Sequence, residues 1–380
     1  MKKTYILLIV LSMASIIGAV DAVACTSAII AAKANPYGRP LLWKNRDTSK
    51  ADNKVEYVAT NAGEHSYVAL FNAEDKNLEE AWMGMNDAGF AIMNTASYNI
   101  KDDNVPQSKM DREGYLMTIA LRKCRTVDDF ANLLDTLPRP MGVEANFGVI
   151  DAYGDGAYFE TNNHSFNRIN LSDSEDGVIV RTNYSHTGRP NEGFGFVREA
   201  TACHLLAPYR EKGGITPEIL TETVSRSFWH DLMQKDFSEG EGRWIVDQDF
   251  IPRYTTTATV VIEGCRPIEK SEIISPKEVA EQYIMWTGLG YAPCSEIVAV
   301  RCMPDGVAPG LRGLSKNGHS EIGDKAQARK AKVFSIKKGN GNKYIDMSKL
   351  FNKEGTGYVQ TLVPKNLETY RKVREIRDAK

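Results

Sequence analysis

After its first two dozen residues the chain has no run approaching the ~20 apolar residues that a membrane-spanning helix needs. It lacks any stripe of basic residues interleaved with aromatics, and its formal charge is only −2, which argues against a nucleic-acid partner. The one dense basic stretch, KKGNGNK from Lys337 to Lys343, reads as a solvated loop. No C-x-x-C occurs among the six cysteines, and none has a histidine at zinc-ligand spacing, so a metal site is not expected. No Pro- or Ser-rich linker and no internal repeat divides the chain.

What is present begins at the amino terminus. Met1, Lys2 and Lys3 precede an apolar run from Tyr5 through Ile17, and small residues then lead to Ala22-Val23-Ala24. A positive start, an apolar segment of that length and an A-x-A site describe an export signal over residues 1–24. Export to the periplasm or beyond is therefore expected, with cleavage between Ala24 and Cys25. In an oxidising compartment some cysteines could pair. If Cys25 has its own task, an odd number remains and one thiol stays free.

The coarse order along the chain is mixed. CTSAIIAA and RPLLWKNRD are short apolar runs separated by KANPYG, with Pro36 and Gly38, which is a hairpin signal. Strand character continues through EYVATN, HSYVALFN and AWMGMNDAGFAIMNTAS. GYLMTIALRKC has apolar residues at helical spacing, and TVDDFANLLDTL opens with a Thr cap and an acidic first turn. Strands resume at NFGVIDAYGDGAYFET, FNRINL and GVIVRTNYS. Helical patches then cover FVREATACHLLAPYREK and TPEILTETVSRSFWHDLMQ, the latter with Pro217 at the first helical position. TTTATVVIEG, EQYIMWTGLG and SEIVAVRC are late strands, and NLETYRKVREIRDAK is a charged helix. Hairpins alternating with helix pairs fit antiparallel sheets with helices outside, an α+β class rather than alternating βαβ. One domain over residues 25–315 is expected, with a C-terminal extension over residues 316–380 packed on it.

Cleavage at Ala24/Cys25 would give one residue both a thiol and a free α-amine. That amine has a pKa of about 7.7–8.0, so it is partly neutral at neutral pH and can take the proton of its own thiol. The same cysteine could instead be a lipid attachment point, making a surface binding protein, or an inert buried thiol. The cut site alone leaves all three open.

Four further stretches stand in a telling order. CTSAIIAAKANPYGRPLLWKNRDTS, with Cys-Thr, a hairpin and then Lys44-Asn45-Arg46-Asp47, resembles the opening of the cysteine-type N-terminal-nucleophile (Ntn) amidohydrolases. These include choloylglycine hydrolases, penicillin V acylases, acid-ceramidase relatives and the penicillin-making acyltransferase. GMNDAGFAIMNTAS, VIDAYGDGAYFET leading into VIVRTNYSH, and the pair RYTTTATVVIEG and YIMWTGLGYAPCSEIVAV complete the resemblance. It implies a four-layer αββα sandwich of two antiparallel sheets. It implies Cys25 as nucleophile, Asp47 holding its amine, and Asn94 and Asn183 at the oxyanion, with Lys44 or Arg46 beside the thiol. A linear amide would be cleaved through a thioester, with water or an acceptor amine completing the turnover. Peptide-like or N-acyl amino acid amides are the first expected substrates, and conjugated bile acids or penicillin V-type amides the second. Homo-oligomerisation stays open. Arg198 stands as a third basic candidate, by resemblance to the arginine near the thiol of bile salt hydrolases, although a helix-surface arginine is the first reading; His164, His186 and His204 read as structural. Trp82 and Tyr98 could line a pocket, although core packing is the more frequent fate of such residues.

Overall fold

A computed structural model describes residues 24–210, 212–240, 242–337 and 342–379. The expected export signal, apart from Ala24, lies outside the described residues, as do the central four residues of the Lys337–Lys343 stretch.

The first ten strands, in chain order, are β1 (Thr26–Ile30), β2 (Leu41–Asp47), β3 (Asn53–Val58), β4 (Tyr67–Asn72), β5 (Met83–Asn86), β6 (Ala91–Ala96), β7 (Ala145–Ile150), β8 (Gly156–Thr161), β9 (Phe166–Asn170) and β10 (Val178–Arg181). Later come the short β11 (Trp229–His230), β12 (Lys235–Asp236) and β13 (Trp244–Val246). The longer β14 (Thr256–Glu263), β15 (Ile284–Leu289) and β16 (Ile297–Val300) follow, then β17 (Tyr344–Asp346). The helices are α1 (Glu113–Lys123), α2 (Val127–Thr136), α3 (Phe196–Arg210), α4 (Pro276–Gln282), α5 (Glu321–Val333) and α6 (Tyr358–Asp378).

Two antiparallel sheets dominate. One has six strands in the order β10-β1-β2-β14-β15-β16; the other runs β3 to β9 in sequence order. Alternation explains why they stack. In β1 and β2, Ile29 and Leu42 point into a core shared with Val68, Leu70, Met83 and Met93 of the second sheet, while Ala28, Ile30 and Trp43 point the other way. On that outer side Leu206 of α3 and Tyr370 of α6 cover them, and Trp286 of β15 stacks on Tyr370 at 4.2 Å. Against the seven-stranded sheet, α1 and α2 bury Leu116, Met117, Phe130 and Leu134. Phe130 meets Phe147 and Phe159 edge-on at 5.7 and 5.0 Å. Each such side chain contributes about 2–3 kcal/mol on burial, so the four layers αββα follow from where the apolar faces fall.

Local rules operate at the expected places. Thr126 caps α2 in a reciprocal capping box with Asp129. Asn86 Oδ1 accepts from the amides of Ala88 and Phe90, holding the β5–β6 turn in which Gly89 takes φ +84. Two stretches differ from their expected elements. The helix begun at Thr216-Pro217 lasts only to a π-type turn over Ile219–Val224, because Ser225 donates its amide and hydroxyl to Leu220 O and the chain then turns into the β11–β12 hairpin. The EQY that begins the expected β15 strand closes α4 instead, a helix started by the Ser275/Glu278 capping box. None of the described helices is long and apolar enough to cross a membrane.

Candidate active site

The site forms where β1, β2 and β6 end beside the first turn of α3. Thr26 pairs with Asn45, which sets Cys25 at the end of β2. The Cys25 thiol is buried and directed at the carbonyl of Asp47, 3.8 Å away.

β2 then works on two faces. Lys44 and Arg46 share the inward face with Leu42, as a period of two requires. Lys44 is buried, and its Nζ donates to Asn94 Oδ1 at 2.8 Å and to Trp82 O at 3.0 Å. Arg46 is held by Asn53 and by Asn72 Oδ1, the latter at 2.8 Å, and its guanidinium lies 4.9 Å from the Trp82 ring. Burial pushes the Lys44 ammonium down to about 8 and the Arg46 guanidinium down to about 10, while the field of Cys25 opposes both shifts.

The outward face carries Asn45 and Asp47. Thr256 donates to Asp47 Oδ1 at 2.7 Å, and Arg253 Nε lies 3.4 Å from Oδ2. That pair is close enough for ionic attraction, yet Asp47 Oδ2 receives no hydrogen bond from the described residues. Burial pushes this carboxyl up to about 7, against the pull of Arg253 and Arg198. Asn45 Nδ2 donates to Ile251 O at 2.9 Å and braces the same corner.

Arg198 is the largest correction to expectation. It is fully buried rather than on a helix surface. Its Nη1 donates to Cys25 O at 2.6 Å and to Thr26 Oγ1 at 3.0 Å, Nη2 donates to Asn183 Oδ1 at 3.0 Å, and Nε pairs with Asp249 at 3.0 Å. Asp249 also holds Arg253 at 3.1 Å, so a chain of charges runs Asp47–Arg253–Asp249–Arg198 behind the thiol. Sequence reasoning missed Asp249, Arg253 and Thr256. RYTTTATVV was visible only as a strand; Asp249 and Arg253 stand four residues apart, but nothing in that spacing tells that the pair links Asp47 to Arg198.

One consequence concerns the two asparagines. Lys44 and Arg198 carry donors only, so each forces its asparagine to present oxygen and turn its NH₂ group away. Asn183 Nδ2 donates to Ala96 O at 2.9 Å. Asn94 Nδ2 makes no hydrogen bond to the described residues. Beside them Tyr98 packs edge-on against Phe194 at 5.2 Å, both partly exposed; burial and the field of Cys25 push the Tyr98 hydroxyl up to about 12. The other rings considered from sequence lie elsewhere. His164 pairs with Asp103, His186 with Glu199, and His204 stacks on Trp229. All six cysteines are free thiols.

Gly195 supplies a stringent test of this arrangement. It has φ +91, and a Cβ there would collide with the Arg198 guanidinium and come within 2.8 Å of Thr182 Cβ. Gly195→Ala is expected to cost about 2 kcal/mol of stability in urea unfolding, from strain plus the displaced guanidinium. It should also lower amide turnover, whereas Gly63→Ala, with open space at φ +95, should leave turnover unchanged.

Residues 34–203 match the family model described as acyl-coenzyme A:6-aminopenicillanic acid acyl-transferase. No curated protein matches the chain in sequence. Among solved structures, a Caenorhabditis elegans N-acylethanolamine-hydrolyzing acid amidase ortholog is similar at 13% identity and a TM-score of 0.43, covering 68% of this chain and 98% of its own. A conjugated bile acid hydrolase from Clostridium perfringens stands at 13% and 0.43, covering 73% of this chain and 92% of its own. A penicillin V acylase from Agrobacterium tumefaciens stands at 12% and 0.36, covering 73% of this chain and 86% of its own.

Proposed function

We propose that the chain is an Ntn-type exported amidohydrolase whose nucleophile is made by cleavage before Cys25. The observation that carries this is the convergence on one buried thiol of a carboxylate with an unfilled oxygen and two asparagines pre-turned by cations.

Cleavage would place an α-ammonium where Asp47 Oδ2 lacks a donor, and the neutral amine takes the Cys25 proton. The sulfur attacks the carbonyl of a linear amide. Asn94 and Asn183 turn their NH₂ groups to the oxyanion, each such donor being worth about 3–4 kcal/mol at the transition state. The amine then protonates the leaving nitrogen, and water opens the thioester. Lys44 keeps a positive charge beside the sulfur and holds Asn94 in register. Arg198 does the same for Asn183 and fixes the Cys25 carbonyl. The partly exposed Tyr98–Phe194 pair favours an apolar acyl group, as in N-acyl amides. Transfer of the acyl group to an amine acceptor is the second reading, favoured by the family model.

The test is mass spectrometry of mature protein mixed with a panel of N-acyl amides and quenched in acid. A terminal Cys25 carrying the acyl mass supports the mechanism. A lipid-modified Cys25, or a mature chain starting elsewhere, overturns it.

A further inference from the structure

A cavity of about 460 Å³ opens between the end of β2, the start of β14 and α5, and none of the residues that line it is Cys25. Thr48, Ser49, Thr255 and Thr257 line one wall, and Lys330, Lys337 and Lys343 another. Tyr254, Phe334 and Ile336 add an apolar side.

Two buried groups in it have no bonding partner among the described residues. Lys330 is only 7% exposed, yet its Nζ makes no hydrogen bond or ion pair with those residues; it lies 4.6 Å from the Tyr254 ring. Lys343 lies 4.4 Å from the same ring, so two ammonium groups converge there. Thr257 is 1% exposed and its Oγ1 has no partner. Burying an ammonium without an acceptor is costly. Burial accordingly pushes Lys330 down to about 8, against the fields of Asp47, Asp247 and Asp52, none of which forms an ion pair with it. A cluster this cationic, held open beside hydroxyl donors, has no carboxylate in ion-pair contact with its lysines among the described residues.

We infer that the cavity is a binding site for a small organic oxyanion, a carboxylate or phosphate on a partly apolar body. Lys330 and Thr257 bond its oxygens, Lys337 and Lys343 guide it in, and Tyr254, Phe334 and Ile336 cover its apolar part. The volume suits a small molecule better than a lone ion. The site goes beyond the proposed amidase and does not depend on Cys25.

Titration calorimetry on the full-length Cys25→Ala chain separates the two proposals, because turnover does not enter. Inorganic phosphate, phenyl phosphate and benzoate are the probes, at matched chloride. Saturable binding, tighter for the aryl probes and weakened about tenfold or more by Lys330→Gln, supports the site, since a hydrogen bond to a charged group is worth that much. Phenyl phosphate against benzoate tells which headgroup is preferred. Without probe, Lys330→Gln should melt no lower than the parent, because it removes an unpaired buried charge. A lower melting temperature would make Lys330 a structural cation and overturn the inference. So would the absence of saturable binding, or binding that survives both Lys330→Gln and Thr257→Val unchanged. Should Lys330→Gln fail to fold, Thr257→Val and Lys343→Gln carry the same comparison.

Discussion

Cys25→Ser is expected to lower amide turnover by about 10⁴-fold or more while leaving the fold intact. The substitution preserves size at a buried position, and the proposed cut would still have a small residue after the A-x-A site. What it removes is the match between base and nucleophile. The α-amine, with a pKa of about 8, lies close to a thiol at about 8.5 and far below a hydroxyl, so the serine oxygen stays protonated. Losing the nucleophile of a machine whose parts act together costs most of its rate, leaving only what oxyanion donors and binding supply. Stopped assays on an N-acyl amide, with a melting curve for each protein, are sufficient. A serine variant that retained a few per cent of the rate would place the nucleophile elsewhere.

The second large effect concerns Asp47. Its carboxyl is held up at about 7, mostly by desolvation. Between pH ~4 and 7 the folded uncleaved chain therefore keeps a proton that the unfolded chain has released. The stability this proton contributes is fully present below pH ~4 and is lost as pH rises through 7. The loss is of the order of a few kcal/mol, the free-energy equivalent of the upward displacement. In the mature chain an ammonium at Cys25 adds a positive charge beside Asp47 Oδ2 and draws the carboxyl down, so the fall should shrink. Melting temperatures from pH 4 to 8 should thus drop for uncleaved protein and change less for mature protein. Asp47→Asn should flatten the uncleaved profile and, in mature protein, lower kcat by about 10²–10⁴-fold, because the amine loses both charge partner and orientation. Equal profiles for the two forms would separate Asp47 from the amine.

Particular residues mark the boundary between what the chain's order makes legible and what it hides. The Lys44-Asn45-Arg46-Asp47 tetrad could be placed on a strand, and period two puts its cations on one face and its polar acceptors on the other. Sequence left Lys44 and Arg46, with Arg198 behind them, as rivals for one task. In the structure they divide, Lys44 reaching Asn94 and Arg46 tied to Asn53, Asn72 and the Trp82 ring. Arg198 was misplaced for a physical reason. FVREATAC has the pattern of an amphipathic helix, and nothing in it tells that the first turn dips behind β1, where the arginine meets the Cys25 carbonyl from 173 positions away. Asp249 and Arg253 are equally ordinary in sequence, because their pairs with Arg198 and Asp47 join residues far apart along the chain.

The amino-acid order alone was enough for most of the strand and helix periods, and for the succession of motifs around Cys25, Asn94 and Asn183. These depend on residues a few positions apart, where backbone geometry sets the spacing. Folding in three dimensions was needed to bring Arg198, Asp249 and Arg253 behind the thiol, to turn both asparagines, and to bury Lys330 with no ion pair among the described residues. Those relations span tens to hundreds of positions, and they are settled by which strand lies beside which and by what burial does to a charge.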